Sequence, residues 1–318
     1  MSTIINIPDI DIYLTYYLDI ITITNLLSVS KSEYAILTNF FQELQILKHK
    51  HPKMKICNII DYAAKYNYLT LIQWMHDSIN EFKYSKNMVV SASYYNNIDV
   101  LEWLAKSEYK FKYSDDAIDL ASSRGNLDVL KWFDNSPYEF KYSYYAINSA
   151  AGNGYLEILE WFRNSRYKLV FSETAIDNAT ANGYIGVLEW FRKYYYDSFR
   201  YKDAINVAAA NGNIKILDWF RKYGDVKYTN KAIDMACENN RIEVLDWFRN
   251  NGFEFKYSHC AMNMASRNGC IQVLDWFKKY GYKYIYTQDA IWLASINGHR
   301  NILEWFDNNI ENKSAKKV

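Results

Sequence analysis

Seven carboxylates stand one position before a tryptophan: Glu102, Glu160, Glu189, Asp218, Asp246, Asp275 and Glu304. Carboxylates in pairs are the raw material of general acid–base work, so this is the first chemistry to weigh. The acid recurs at the chain's own period, however, and Arg or Lys often follows three positions later, as in Glu160–Arg163 and Asp246–Arg249. That spacing describes an i,i+3 surface pair along a helix. The histidines (His49, His51, His76, His259 and His299) are scattered, and no Cys or carboxylate completes a zinc set around His49-x-His51. Phosphate-binding and nucleophile-elbow motifs are absent from the sequence. The segments EFKYS (81–85 and 254–258) and KFKYS (110–114) interleave cations with aromatics, a pattern that binds single strands by stacking. Their Phe and Tyr recur in register, which predicts packing, with the Lys alternating outward. No catalytic, metal or cofactor site is expected.

The elements that would position these groups follow from a ruler. Tryptophans stand at Trp74, Trp103, Trp132, Trp161, Trp190, Trp219, Trp247, Trp276 and Trp305, in steps of 29 except for one of 28. Only Trp292 falls outside. Eleven positions before each comes alanine, from Ala63 and Ala92 to Ala294. Seven before comes Gly125, Gly154, Gly183, Gly212, Gly269 or Gly298, or else Asn67, Asn96 or Asn240, residues that tolerate the left-handed backbone of a helix C-terminus. Eighteen before comes Ser85, Ser114, Ser143, Ser172, Thr229, Ser258 or Thr287, the hydroxyl that opens a helix; Tyr201 breaks this column.

Each unit thus reads as helix–turn–helix. Its helices are too short to stand alone, since about 12–15 residues is already marginal in water. They must be held by stacking, with the alanine column allowing close approach and the second helix, as in LDVLKWF (127–133), buried between neighbours.

SDDAIDLASSRGNLDVLKWF (114–133) resembles an ankyrin repeat: Ala117-Ile118-Asp119-x-Ala121 sits where T-P-L-H-x-A would, and Gly125-x-Leu127-x-Val129-Leu130 opens the second helix. The resemblance is to divergent ankyrin-repeat proteins of the kind abundant in large DNA viruses. It implies an all-α, elongated solenoid of about nine ankyrin-like repeats over residues 53–310, and a place inside the cell, in the cytoplasm of an infected host. The family's His is replaced by Asp119, Asn148, Asp177, Asn206, Asp234 and Asn263, which can still bridge adjacent units through backbone hydrogen bonds. The unit is also about four residues shorter than the usual 33, so the β-hairpin finger is expected to be stunted or missing.

A net charge of +1 gives no electrostatic case for nucleic acid or an anionic membrane. The four cysteines show no paired spacing, as in a reduced intracellular protein; no signal peptide is evident. Residues 311–318 read as a basic disordered tail. Residues 1–52 do not obey the ruler. Ile7, Pro8, Leu14, Leu18, Ile23, Leu26 and Val29 are similar to an F-box, which implies docking on a Skp-type adaptor of a cullin–RING ubiquitin ligase. The same stripe also suits an N-terminal helical cap that shields the first repeat. Both readings stay open.

The function expected is therefore a monomeric, non-enzymatic scaffold that binds a protein partner of unidentified kind. Stacked first helices would line a concave face, with Tyr94, Tyr95, Ser123, Arg124, Arg267 and their equivalents as candidate contacts just before the Gly/Asn stop. The regular Asn153, Asn182, Asn211, Asn239, Asn268 and Asn297 look structural. Alternatives are an F-box substrate adaptor, and single-stranded nucleic-acid binding through the aromatic-basic connections.

Overall fold

The structure, a computed structural model, describes residues 56–78, 83–195, 203–223 and 226–311. The cap or F-box-like segment at 1–52 and the tail beyond 311 lie outside the described residues. Within them are eighteen α-helices and a π-helical turn, Asp307–Glu311, and no strand. The chain divides into two compact units, Met1–Ala146 and Ile147–Val318.

The first helices are α1 (Ile56–Lys65), α3 (Lys86–Tyr94), α5 (Asp116–Ser123), α7 (Tyr144–Gly152), α9 (Glu173–Ala181), α11 (Ala204–Asn211), α13 (Asn230–Glu238), α15 (His259–Arg267) and α17 (Gln288–Ile296). The second helices are α2 (Leu69–Ser78), α4 (Ile98–Lys106), α6 (Leu127–Asn135), α8 (Leu156–Asn164), α10 (Ile185–Tyr194), α12 (Ile214–Lys222), α14 (Ile242–Asn250), α16 (Ile271–Tyr280) and α18 (Arg300–Phe306). Within unit 1, α1 packs on α3 and α3 on α5; within unit 2, α9, α11, α13, α15 and α17 pack in series. Second helices touch their successors far less. The difference traces to the alanine column: Ala63, Ala92, Ala121, Ala150, Ala179, Ala208, Ala236, Ala265 and Ala294 are all fully buried, and a methyl group lets two backbones approach closely.

The stop works as its residue types require. Every Gly of that column has positive φ, and so do Asn67, Asn96 and Asn240, at 56°, 59° and 54°. The next residue then donates its backbone N–H to the column alanine's carbonyl, as from Tyr184 to Ala179 at 2.9 Å, which satisfies an orphan carbonyl of the first helix. At Gly154 a Cβ would also meet the Tyr184 ring at 2.6 Å, so glycine is required there twice over.

Successive pairs are joined by a polar clamp thirteen positions before the Trp. Asp119 accepts from the Ser143 N–H (2.9 Å) and hydroxyl (2.5 Å), and Asp234 accepts likewise from Ser258 (2.8 and 2.6 Å). Asn148 and Asn263 accept from the backbone N–H of Ser172 and Thr287, and their amides donate to those same hydroxyls at 2.7 Å. In five helices the Ser or Thr hydroxyl also caps the helix it opens, accepting the backbone N–H two residues on, as Ser143 does from Tyr145. Val90 interrupts the clamp column. Ser114, facing it in sequence, gives its hydroxyl to its own Asp116 instead, and the cap of α5 falls to Asp115 without a side-chain bond. At the other end the column closes on Trp292, which is 58% exposed beside Ile296.

The predicted burial of the Trp column holds for Trp190, Trp219, Trp247, Trp276 and Trp305; Trp103, Trp132 and Trp161 are half-buried. For Trp190, Trp219 and Trp276 the cause lies four residues on. Tyr194, Tyr223 and Tyr280 pack on their indoles at 4.9–5.7 Å, whereas Ser107, Ser136 and Ser165 are too short to cover theirs.

Candidate binding surface

The carboxylates that precede the tryptophans resolve into two uses. Glu160 pairs with Arg163 at 2.9 Å, as the spacing predicts. Asp246 does not pair with Arg249 in this way: its Oδ1 accepts the indole N–H of Trp276 at 2.8 Å, across to the next second helix. Asp218 and Asp275 accept likewise from Trp247 and Trp305, each at 2.9 Å, and Asp218 also keeps its i,i+3 pair with Arg221 at 3.6 Å. Reading along one helix misses a bond made between two. The guanidinium of Arg249 lies over the Tyr280 ring at 4.0 Å, and Arg163 and Arg192 lie over Tyr194 and Tyr223 at 4.2 and 3.8 Å.

The connections hold their aromatics as packing predicts. Tyr84, Tyr113, Tyr228 and Tyr257 donate their hydroxyls to the backbone carbonyls of Lys110, Glu139, Glu254 and Lys283, each in the following connection. Lys112, Lys141 and Lys256 in turn cover the rings of Tyr84, Tyr113 and Tyr228. Phe111 stacks on Tyr138 at 4.1 Å. Cys237 is buried, and burial pushes its thiol well above the ordinary value, the opposite of a reactive cysteine. Among the described residues no group of three or more His, Cys, Asp or Glu is arranged to hold a metal ion. No helix there is long and apolar enough to cross a membrane.

Four of the five candidate contacts come together on unit 1, at the C-terminal ends of α3 and α5. Tyr94 and Tyr95 meet edge-on at 4.8 Å, and the Arg124 guanidinium lies over Tyr94 at 4.8 Å. Ser123 turns its hydroxyl back to the Leu120 carbonyl. Lys65 and Tyr66, the equivalents of Tyr94 and Tyr95 at the end of α1, complete the cluster. The Lys65 ammonium lies 4.7 Å from the Tyr66 ring centroid and 5.4 Å from that of Tyr95, and the Tyr66 hydroxyl beside it holds its pKa above the ordinary value. Both occupy the same two columns as Tyr94 and Tyr95, so the ruler itself carried the signal. Arg267 sits by itself in unit 2, exposed, its carbonyl bonded to the His299 ring at 2.9 Å. The F-box-like positions Ile7, Pro8, Leu14, Leu18, Ile23, Leu26 and Val29 lie outside the described residues.

The regular Asn column explains why unit 1 differs. Asn182 and Asn268 donate to the Gly152 and Glu238 carbonyls of the preceding pair, and Asn211, Asn239 and Asn297 donate to carbonyls of their own helix. These are structural bonds. In unit 1 the same column holds Tyr66, Tyr95 and Arg124. No family model matches the chain, and no curated protein matches it. Function is therefore read from the residues themselves.

Proposed function

We propose that the protein is a non-enzymatic interaction scaffold of nine ankyrin-type repeats, whose protein partner docks on the C-terminal ends of α1, α3 and α5. One observation carries this reading. A column that elsewhere holds asparagine for structural bonds holds Tyr66, Tyr95 and Arg124 in unit 1, with Tyr66 and Tyr95 at 40% and 41% exposure. Tyr and Arg are the side chains that dominate binding at interfaces, because each offers large contact area with a polar tip. The rings of the connections, by contrast, are already engaged by neighbouring Lys and carbonyl groups, which favours a protein over a single-stranded nucleic acid.

The test is affinity capture with the full chain, comparing wild type, the double variant Tyr95→Ala/Arg124→Ala, and the control Lys215→Ala on α12. A partner retained by wild type and control but lost by the double variant is the expected result. Capture that is indifferent to the double variant defeats this choice of surface. Retention of nucleic acid with a steep salt dependence would identify the competing ligand instead.

A further inference from the structure

The Arg-over-Tyr pairs of unit 2 provide a template for a cleft in unit 1. Each joins a position two residues after one Trp to a position four residues after the next, and three are filled: Arg163 with Tyr194, Arg192 with Tyr223, Arg249 with Tyr280. Between α4 and α6 the same two positions hold Ala105 and Ser136. Both side chains of the pair are cut back, and a cleft of about 360 Å³ opens there, walled by Trp132 and Tyr138 and rimmed by Glu102 and Lys106. The counterpart of Glu102 is Glu160, which binds the Nε of Arg163 at 2.9 Å where that guanidinium lies over Tyr194. The cleft thus keeps the acceptor, has Trp132 and Tyr138 as its aromatic wall in place of the missing tyrosine, and lacks the guanidinium. At the corresponding place between α2 and α4, His76 meets Trp103 at 5.6 Å, so that site is occupied.

We propose that this cleft receives an arginine side chain from the protein partner. The guanidinium would be held by the Glu102 carboxylate and stacked against Trp132 and Tyr138, remaking between two molecules the contact that unit 2 makes within itself. Arginine fits better than lysine, because a planar guanidinium stacks on a ring while it donates sideways to a carboxylate. Lys106 now meets Glu102 at 3.3 Å, but it is 78% exposed, and such a pair is weak enough to be displaced. This inference rests on the scaffold reading and names part of what the scaffold recognises.

The experiment uses a single small probe, so that it reads the cleft apart from the rest of any interface. The full chain is titrated with the blocked tripeptide acetyl-Gly-Arg-Gly-amide, following the Trp132 indole N–H resonance, assigned with Trp132→Phe. Analogues carry lysine, phenylalanine or citrulline, the last of these isosteric with arginine and uncharged. The Trp132 signal is expected to shift with the arginine probe, about tenfold more weakly with lysine or citrulline, and about tenfold more weakly in Glu102→Gln. Lys106→Ala should strengthen binding. The double variant Ala105→Arg/Ser136→Tyr, its helicity checked by circular dichroism, should fill the cleft and remove the shift. Absence of any shift, equal shifts with citrulline or phenylalanine, or binding unchanged in Glu102→Gln would overturn the assignment. Such a failure would leave capture through Tyr95 and Arg124 intact, so the two ideas fall separately.

Discussion

Asp119 and Asn148 do the same work with opposite polarity. The carboxylate accepts a hydrogen bond from its partner hydroxyl, and the amide donates one. Burial sets them apart, because it disfavours charge and raises the Asp119 pKa from its ordinary 3.8. The folded state then holds a proton on the Asp119 carboxyl more tightly than the unfolded chain does. The stabilising contribution is complete at acid pH and declines as pH rises through the folded value. Asp119→Asn removes that decline and keeps the clamp, as Asn148 and Asn263 show. We expect its urea midpoint to equal or exceed wild type at neutral pH, with a flatter pH profile. A variant that loses ground to wild type as pH rises would contradict this account. Glu160 offers a second case. The Trp190 indole N–H is buried without an acceptor, while Trp276, at the same offset from Asp246, has one at 2.8 Å. Glu160→Asp should supply it and gain about 0.5–1.5 kcal/mol, more than the exposed pair with Arg163 contributes. Denaturant titration, with the Trp190 N–H resonance moving downfield, is the check. These bonds were illegible in the sequence because a carboxylate three residues from an arginine already has a complete explanation on one helix. Only the stacking of neighbours brings the indole within reach.

At the scale of the element, the alanine column and the left-handed stop were legible because each answers a geometric demand repeated in every pair. Close approach needs a methyl group, and positive φ needs Gly or Asn. The helix-opening hydroxyl was legible for the same reason, and it failed at Ser114, where Val90 removes the clamp from the facing position. The cleft between α4 and α6 was not legible, since it consists of what Ala105 and Ser136 lack. Ala179 tests the element most directly. Enlarging it to Leu overpacks the contact of α9 with α11 and should cost about 1–3 kcal/mol in thermal or chemical unfolding. A variant as stable as wild type would show that the column does not set the helix spacing.

At the scale of the whole molecule, main contacts within each unit run between sequence neighbours, so stability is a sum of local terms and folding can spread from any pair. In unit 2, α15 is flanked by α13 and α17, while among the described residues α17 packs on α15 alone of the first helices. Amides of α17 should therefore exchange roughly tenfold or more faster than those of α15, measured by native-state hydrogen exchange. Equal protection would mean that the unit opens as one block. The clamp has a consequence for how such a chain changes over generations. A hydroxyl accepts from an amide as readily as it donates to a carboxylate, so the cap of any pair fits the Asp or Asn of any predecessor. Pairs joined in this way are interchangeable parts, and a recombination event that duplicates or drops one leaves every joint matched. The pairs carrying Val90 and Trp292 lack the socket; the second of these, copied inward, would put an indole where its successor expects a hydrogen bond.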